Sequence, residues 1–279
     1  MGGVEIEPVA GALGAELHGL DLTQPLSAGA FARVREAFLT HSVIFIRGQA
    51  ITPEQHLAFA RRFGPVDVNR FFTPVEGHPE IAEVRKEPEQ KKNIGERWHT
   101  DHSYDEAPAM GSVLLAREVP ESGGDTMFAS MHLAYESLSD GLKRTLEPLR
   151  ARHSSRHIFG REAAYHGNDL AGRLHNPDAA TQDATHPVVI RHPETGRKAL
   201  YVNQNFTTGI EGWKPDESAA LLGFLYAHGA RPEFTCRFRW QPGSIAVWDN
   251  RSTWHCAVND YQGQRRLMHR VTVAGVPLQ

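Results

Sequence analysis

Two short stretches, far apart in the chain, set the strongest condition on its fold. Trp98-His99-Thr100-Asp101 places an imidazole and a carboxylate two residues apart, and Trp248 to His255 ends on a second imidazole. In an extended segment side chains alternate faces, so His99 and Asp101 point the same way and can share one metal ion. With His255 as third ligand, the rest of the chain must form a scaffold that closes a long loop onto one point. Two imidazoles and one carboxylate are the donor set of non-heme Fe(II) oxygenases, which leaves coordination positions open. The tripeptide alone carries little weight. With 16 His and 12 Asp in 279 residues, His-x-Asp arises by chance ~0.7 times, and it occurs once. A zinc hydrolase uses the same residue types and stays open as an alternative.

The length fits one large domain or two small ones, with ample material for a core. No linker, repeat or low-complexity segment divides the chain, so 1–279 is read as a single domain. Charge is balanced, with 30 basic and 33 acidic residues, and nothing favours a nucleic-acid partner. Two cysteines, Cys236 and Cys256, make no disulfide framework, and a reducing compartment is expected. The start lacks the basic and apolar run of a secretory signal, and no run is long enough to span a membrane. A soluble, cytoplasmic protein is expected, forming a homo-oligomer (dimer or tetramer).

The local patterns are mostly those of short strands. Val4–Leu22 reads as strands with turns, Ser42–Arg47 as a buried strand, and Ser27–His41 as a helix with Phe31, Val34 and Phe38 on one face. Thr52-Pro53-Glu54-Gln55 marks a helix start, and Gly64 its expected stop. From Pro65 to Arg97 the pattern weakens, with one short strand near Ile81–Val84. Glu87–Glu96 is polar and aperiodic, and reads equally as a lid or a plain connection. Ser112–Ala116 and the residues through Phe128 read as strands, Ser130–Leu149 as a helix in two pieces, and Tyr165–Thr185 as a long loop that could also act as a lid. His186–Ile190 and Ala199–Val202 form a hairpin. Asp216–His228 reads as a helix with Ala220, Leu221, Phe224 and Leu225 inward. Strands return at Glu233–Trp240, Ser244–Trp248 and Arg266–Val273. The pattern predicts a mostly-β fold with flanking helices, closed as a barrel or double sheet.

Period 2 puts Arg266, Met268 and Arg270 on one face of the last strand. Two guanidinium groups on one face repel unless each meets solvent or an anion. The strand is otherwise apolar and follows His255 closely, so anions are the sharper reading. A guanidinium fork holds a carboxylate through two hydrogen bonds, which suits a dicarboxylate co-substrate and a second anion.

Taken together, Arg47-Gly48-Gln49, Arg62-Phe63-Gly64, Trp98-His99-Thr100-Asp101, Ser122-Gly123-Gly124-Asp125-Thr126, His186-Pro187-Val188-Val189 and Trp248-Asp249-Asn250-Arg251, with Arg266, resemble the taurine dioxygenase / 2,4-dichlorophenoxyacetate dioxygenase family over nearly the whole chain. The resemblance implies a double-stranded β-helix, a cupin-like jelly roll. It implies Fe(II) held by His99, Asp101 and His255, with 2-oxoglutarate and O2 as co-substrates. It implies that Thr126 and Arg266 hold the distal carboxylate of 2-oxoglutarate, with Arg270 near the keto-acid end and an anionic substrate. The reaction implied is hydroxylation of a small organic anion beside a heteroatom, coupled to decarboxylation to succinate and CO2. Asn69, Phe72, His102, Tyr104, Phe159 and Phe206 fall at the implied pocket positions. The taurine-using branch carries His and Tyr where this chain has Asn69 and Phe72, which leaves sulfonates, alkyl sulfates and aryloxyalkanoates open. A non-catalytic jelly-roll binding module is the remaining alternative; its signature, a lost ligand, is missing.

Overall fold

The computed structural model describes residues 3–161, 163 and 172–279. A nine-stranded sheet is its backbone. From one edge the strands run Glu5–Pro8, Ala15–His18, Val43–Ile46, Ile245–Asp249, Gly111–Glu118, Arg266–Val273, His78–Lys86 and Pro74–Val75, with Val66–Asp67 also paired to Arg266–Val273. All these pairings are antiparallel except Ala15–His18 with Val43–Ile46. A three-stranded antiparallel sheet has Thr126–Ser130 in the middle, flanked by Thr235–Phe238 and Thr253–Ala257.

Alternation along the central strands explains why their sequences are apolar throughout. Ile44, Ile46, Val113, Leu115, Ile245 and Val247 face one core, together with Val34 and Phe38 of the helix Ala28–His41 and Leu57 and Ala60 of the helix Pro53–Arg61. Val43, Phe45, Leu114, Ala246 and Trp248 face the other way and pack on Phe128, Cys236 and Phe238 of the smaller sheet. The two sheets therefore face each other across a shared core, and a strand buried on both faces loses the polar alternation of an exposed one. Phe38 and Phe45 are fully buried, and truncating such a residue to alanine costs ~3–5 kcal/mol.

The helices begin where side chains satisfy their free N–H groups. Ser27 accepts from Ala30 N. Thr52 and Gln55 form the reciprocal capping box that the sequence suggests. That helix ends at Arg61, one turn short of Gly64.

Several sequence expectations need correction. The strand near Ile81–Val84 is longer, running over His78–Lys86, because it pairs with the whole first part of Arg266–Val273. The loop read over Tyr165–Thr185 contains a helical turn, Pro177–Ala179, and the start of a strand, Asp183–Pro187; residues 165–171 of it lie outside the described residues. His186 belongs to that strand, which pairs with Arg150–Ser154, and the hairpin is Val189–Arg191 with Lys198–Leu200. The helix Pro215–Gly229 is rotated from its expected face. Ser218, Leu222, Leu225 and Gly229 are buried, while Phe224 is half exposed. Trp254 fixes that rotation: a Cβ at Gly229 would lie 2.6 Å from its ring, so the helix docks its smallest residue there.

Candidate active site

His255 is the central residue of the strand Thr253–Ala257. The segment carrying His99 runs antiparallel beside it. His99 N donates to His255 O at 3.1 Å, and His255 N donates to His99 O at 2.8 Å. Residues directly opposed in an antiparallel pair project to the same face. The two imidazole rings accordingly lie 4.0 Å apart, centroid to centroid. Asp101, two residues on, turns its carboxylate to that face, with Oδ1 3.8 Å from His99 Nε2 and 3.9 Å from His255 Nε2. One ligand atom from each residue lies within 4.8 Å of the other two, and all three residues are buried. Among the described residues no other group of His, Cys, Asp or Glu meets this condition.

The surroundings suit a cation. His99 Nδ1 is 2.7 Å from the Arg97 carbonyl, which can only accept, so the ring carries its proton there and offers the Nε2 lone pair to the site. Burial holds the His99 and His255 pKa values below that of an ordinary histidine, which keeps both as neutral ligands. For Asp101, burial pushes the pKa up, but the charge around it, Arg270 foremost, outweighs burial and keeps the carboxylate ionised. Trp248 lies against the His255 ring at 4.6 Å. Among the described residues His255 Nδ1 has no hydrogen-bond partner.

The Trp248-Asp249-Asn250-Arg251 motif supports the site from behind. Thr100 Oγ1 donates to the Asn250 carbonyl at 2.5 Å, and Asp101 N donates to Asn250 Oδ1 at 3.3 Å. Asp249 and Arg251 form a buried two-point ion pair at 2.8 and 2.7 Å. His192 donates to Asp249 at 2.9 Å, and Glu194 pairs with Arg251 at 2.8 Å. Asp101 Oδ2 accepts from Ser112 Oγ at 2.9 Å.

Arg266 and Arg270 are both buried and share one face of the last strand, as period 2 suggests. Their situations differ. Arg266 Nε and Nη2 have no partner among the described residues. Burial lowers its pKa, an expense that an incoming anion would offset. Thr126 Oγ1 accepts from Trp240 Nε1 at 3.0 Å, which leaves its own hydroxyl proton to donate. Arg270 is not the spare charge that the sequence suggests. Its Nη1 lies 3.2 and 3.4 Å from the two Asp101 oxygens, and the Phe72 ring stacks on its guanidinium at 4.6 Å. Its Nε is buried without a partner among the described residues.

A cavity opens in front of these groups. It is lined by His99, Asp101 and His255, by Thr126, Arg266 and Arg270, and by Asn69, Phe72, His102, Tyr104, Phe159 and Phe206. Every site residue read from the sequence meets at this one cavity. Phe72, Tyr104, Phe159 and Phe206 belong to one buried apolar cluster along its wall. Asn69 Oδ1 accepts from Phe71 N and Phe72 N, which directs its Nδ2 to His102 Nε2 at 3.3 Å. His102 Nδ1 then donates to Asp105 at 3.1 Å. Asn205, Ile158 and Ile94 also line the cavity and had no sequence signal of their own. Asn250 sat inside a recognised motif but without a role, and Ser112 had the look of an ordinary strand residue.

The family model for the taurine catabolism dioxygenase TauD, TfdA family matches residues 5–272. The chain belongs to the TauD, TfdA family. It is 36% identical to an alkylsulfatase of Acinetobacter baylyi, covering 98% of this chain and 85% of that one. It is 34% identical to an alpha-ketoglutarate-dependent sulfate ester dioxygenase of Pseudomonas putida, covering 98% and 90%. A crystal structure of a taurine dioxygenase from Burkholderia xenovorans superposes with a TM-score of 0.83 at 37% identity, covering 98% and 92%. Membership decides between the readings of the donor set. The TauD, TfdA chain described here is a 2-oxoglutarate-dependent non-heme iron dioxygenase, and His99, Asp101 and His255 form its facial triad. Zinc hydrolysis and a non-catalytic module fall away. The fit is physical as well: three buried donors converge on one point, and an unpaired buried guanidinium stands in the same cavity.

Proposed function

We propose that the primary substrate is an alkyl sulfate ester, oxidised at the carbon that bears the sulfate. The observation that carries this reading is the division of the cavity. Charged groups gather at the metal end and an aromatic wall of Phe72, Tyr104, Phe159 and Phe206 forms the remainder. Such a cavity suits a small anion with an apolar body. Two relatives bear names for action on sulfate esters, which favours this anion over a sulfonate or an aryloxyalkanoate.

Each residue then has a task. Arg266 and Thr126 bind the distal carboxylate of 2-oxoglutarate; the orphaned guanidinium and the free hydroxyl proton support this. Arg270, held by Asp101 and Phe72, keeps Nε for the anionic end of the site. Asn69 and His102 border the substrate, and Tyr104, Phe159 and Phe206 exclude water around its chain. When bound, Fe(II) with 2-oxoglutarate and O2 supplies the oxidation, and the keto acid leaves as succinate and CO2. Hydroxylation of the ester carbon gives a hemiacetal sulfate, which breaks its C–O bond to an aldehyde, sulfate and a proton.

The same reading covers the architecture and setting. The two facing sheets close as a double-stranded β-helix, and residues 1–279 make one dioxygenase domain; the shared core and the span of the family match support this. No helix among the described residues is long and apolar enough to cross a membrane. Both cysteines are free, which suits the cytoplasmic setting expected from the sequence.

The test is a substrate panel. Hexyl sulfate, hexanesulfonate and phenoxyacetate are each supplied with Fe(II), ascorbate and 2-oxoglutarate, and succinate is measured with the organic product. Hexyl sulfate is expected to give hexanal and succinate in equal amounts. Preference for either other anion, or equal turnover of uncharged hexyl methyl ether, would overturn the assignment.

A further inference from the structure

Asp101 has two oxygens, and the structure treats them differently. Oδ1 is the one that faces both histidine Nε2 atoms, at 3.8 and 3.9 Å. Oδ2 receives the Ser112 hydroxyl at 2.9 Å. Arg270 Nη1 reaches both, at 3.2 and 3.4 Å, and so does not distinguish them.

The direction of the Ser112 hydrogen bond is fixed by a relay behind it. Trp248 Nε1 is only a donor, and it lies 2.9 Å from Asn250 Oδ1. Thr100 Oγ1 and Asp101 N approach the same oxygen at 3.4 and 3.3 Å. The Asn250 amide is thereby oriented with Nδ2 toward Ser112 Oγ, at 3.5 Å. Ser112 Oγ accepts there, and its single proton goes to Asp101 Oδ2. Ser112 is fully buried, flanked across the sheet by Trp248 and Thr272, so its hydroxyl is shielded from bulk solvent.

We propose that Ser112 is a positioning residue that keeps Asp101 a one-oxygen metal ligand. A carboxylate can bind a metal through one oxygen or both. Three single-atom ligands would leave positions on the ion free for the keto acid and O2. A second bond from Asp101 would fill one of them. The hydroxyl proton on Oδ2 engages one of its lone pairs and makes that oxygen a poorer second donor to the metal. Ser112 does not line the cavity and reaches the site only through Asp101. The proposal rests on the iron reading of the triad.

The experiment uses Co(II), whose visible absorption reports its coordination, in the full chain without turnover. Wild type, Ser112→Ala and Ser112→Thr are loaded with Co(II) and titrated with 2-oxoglutarate under anaerobic conditions. For Ser112→Ala a changed Co(II) spectrum is expected, with 2-oxoglutarate binding weakened roughly tenfold, equivalent to ~1.4 kcal/mol. Ser112→Thr keeps the hydroxyl and is expected to restore both. Thermal unfolding is followed in parallel: a purely structural role would lower the melting temperature of Ser112→Ala while leaving its Co(II) spectrum and 2-oxoglutarate affinity those of wild type, and that result overturns the proposal. A Ser112→Thr protein that folds but keeps the alanine spectrum also overturns it. Wild type that takes up no Co(II) would overturn the metal reading, and this proposal with it.

Discussion

His99 and His255 exchange both of their backbone hydrogen bonds, although they come from opposite sides of the main sheet's sequence. This isolated bridge extends the edge of the smaller sheet by one residue pair. It sets the two imidazoles on one face without any help from their side chains. The metal site is therefore built by main-chain pairing and only then filled by donors. Replacing a donor should empty the site and leave the frame standing. His255→Ala is expected to lose iron-dependent turnover completely while its far-ultraviolet circular dichroism matches wild type. Retained turnover in that variant would remove His255 from the triad.

Arg266 gives the second expectation. Its guanidinium is buried with Nε and Nη2 unpaired among the described residues. Losing a charged hydrogen bond to a desolvated carboxylate costs ~2–5 kcal/mol. Arg266→Ala should weaken 2-oxoglutarate binding by about 30-fold or more, each ~1.4 kcal/mol being tenfold. Anaerobic titration calorimetry reads this directly, and an unchanged affinity would place the keto acid elsewhere.

The Asp249–Arg251 pair concerns stability. Both residues are buried, and both oxygens of Asp249 are engaged by Arg251. Removing one partner of a buried pair leaves the other charge uncompensated, at ~3–5 kcal/mol. Arg251→Met should lower the unfolding free energy by about that amount in urea. A loss under ~1 kcal/mol would mean that His192 and the residue 251 backbone N–H together sustain Asp249.

A buried histidine outside the site sets a pH dependence. His56 is fully buried under the main sheet, with Nε2 on the Val113 carbonyl at 3.2 Å. Burial lowers its pKa from 6.5 to about 3. Between these values the unfolded chain binds a proton that the folded chain refuses, so this term is complete above pH 6.5 and is lost as pH falls toward 3. One such group changes stability by up to ~1.4 kcal/mol per pH unit. His56→Met should flatten the fall in unfolding free energy between about pH 6.5 and 4.5. An unchanged slope would assign the acid sensitivity elsewhere, with His269, lowered by burial to about 4, the next group to replace.

What could be read in the sequence was local or periodic. The shared face of Arg266 and Arg270 and the Thr52–Gln55 capping box need only near neighbours, and both are present; His99 and Asp101 do meet at 3.8 Å, although only His99 lies in a β-bridge and Asp101 opens a turn. The pocket residues came through family resemblance rather than physics. What stayed hidden depends on partners distant in sequence. Ser112 acquires its role only when Asp101 lies above it. Arg270 looked free because its anion, Asp101, arrives from a remote segment. The helix Pro215–Gly229 turns Phe224 outward because Trp254 claims the place beside Gly229. The strand His78–Lys86 outgrew its apolar pattern because a neighbouring strand supplied hydrogen bonds to its polar ends.

The fate of O2 tests the central claim most directly. The protein is supplied with Fe(II), 2-oxoglutarate, hexyl sulfate and oxygen-18 gas, and the succinate is weighed by mass spectrometry. The expected result is succinate carrying one labelled oxygen, formed with Fe(II), absent with Zn(II) and absent from His255→Ala. Sulfate released without succinate, or succinate free of label, would contradict a 2-oxoglutarate-dependent oxygenase built on His99, Asp101 and His255.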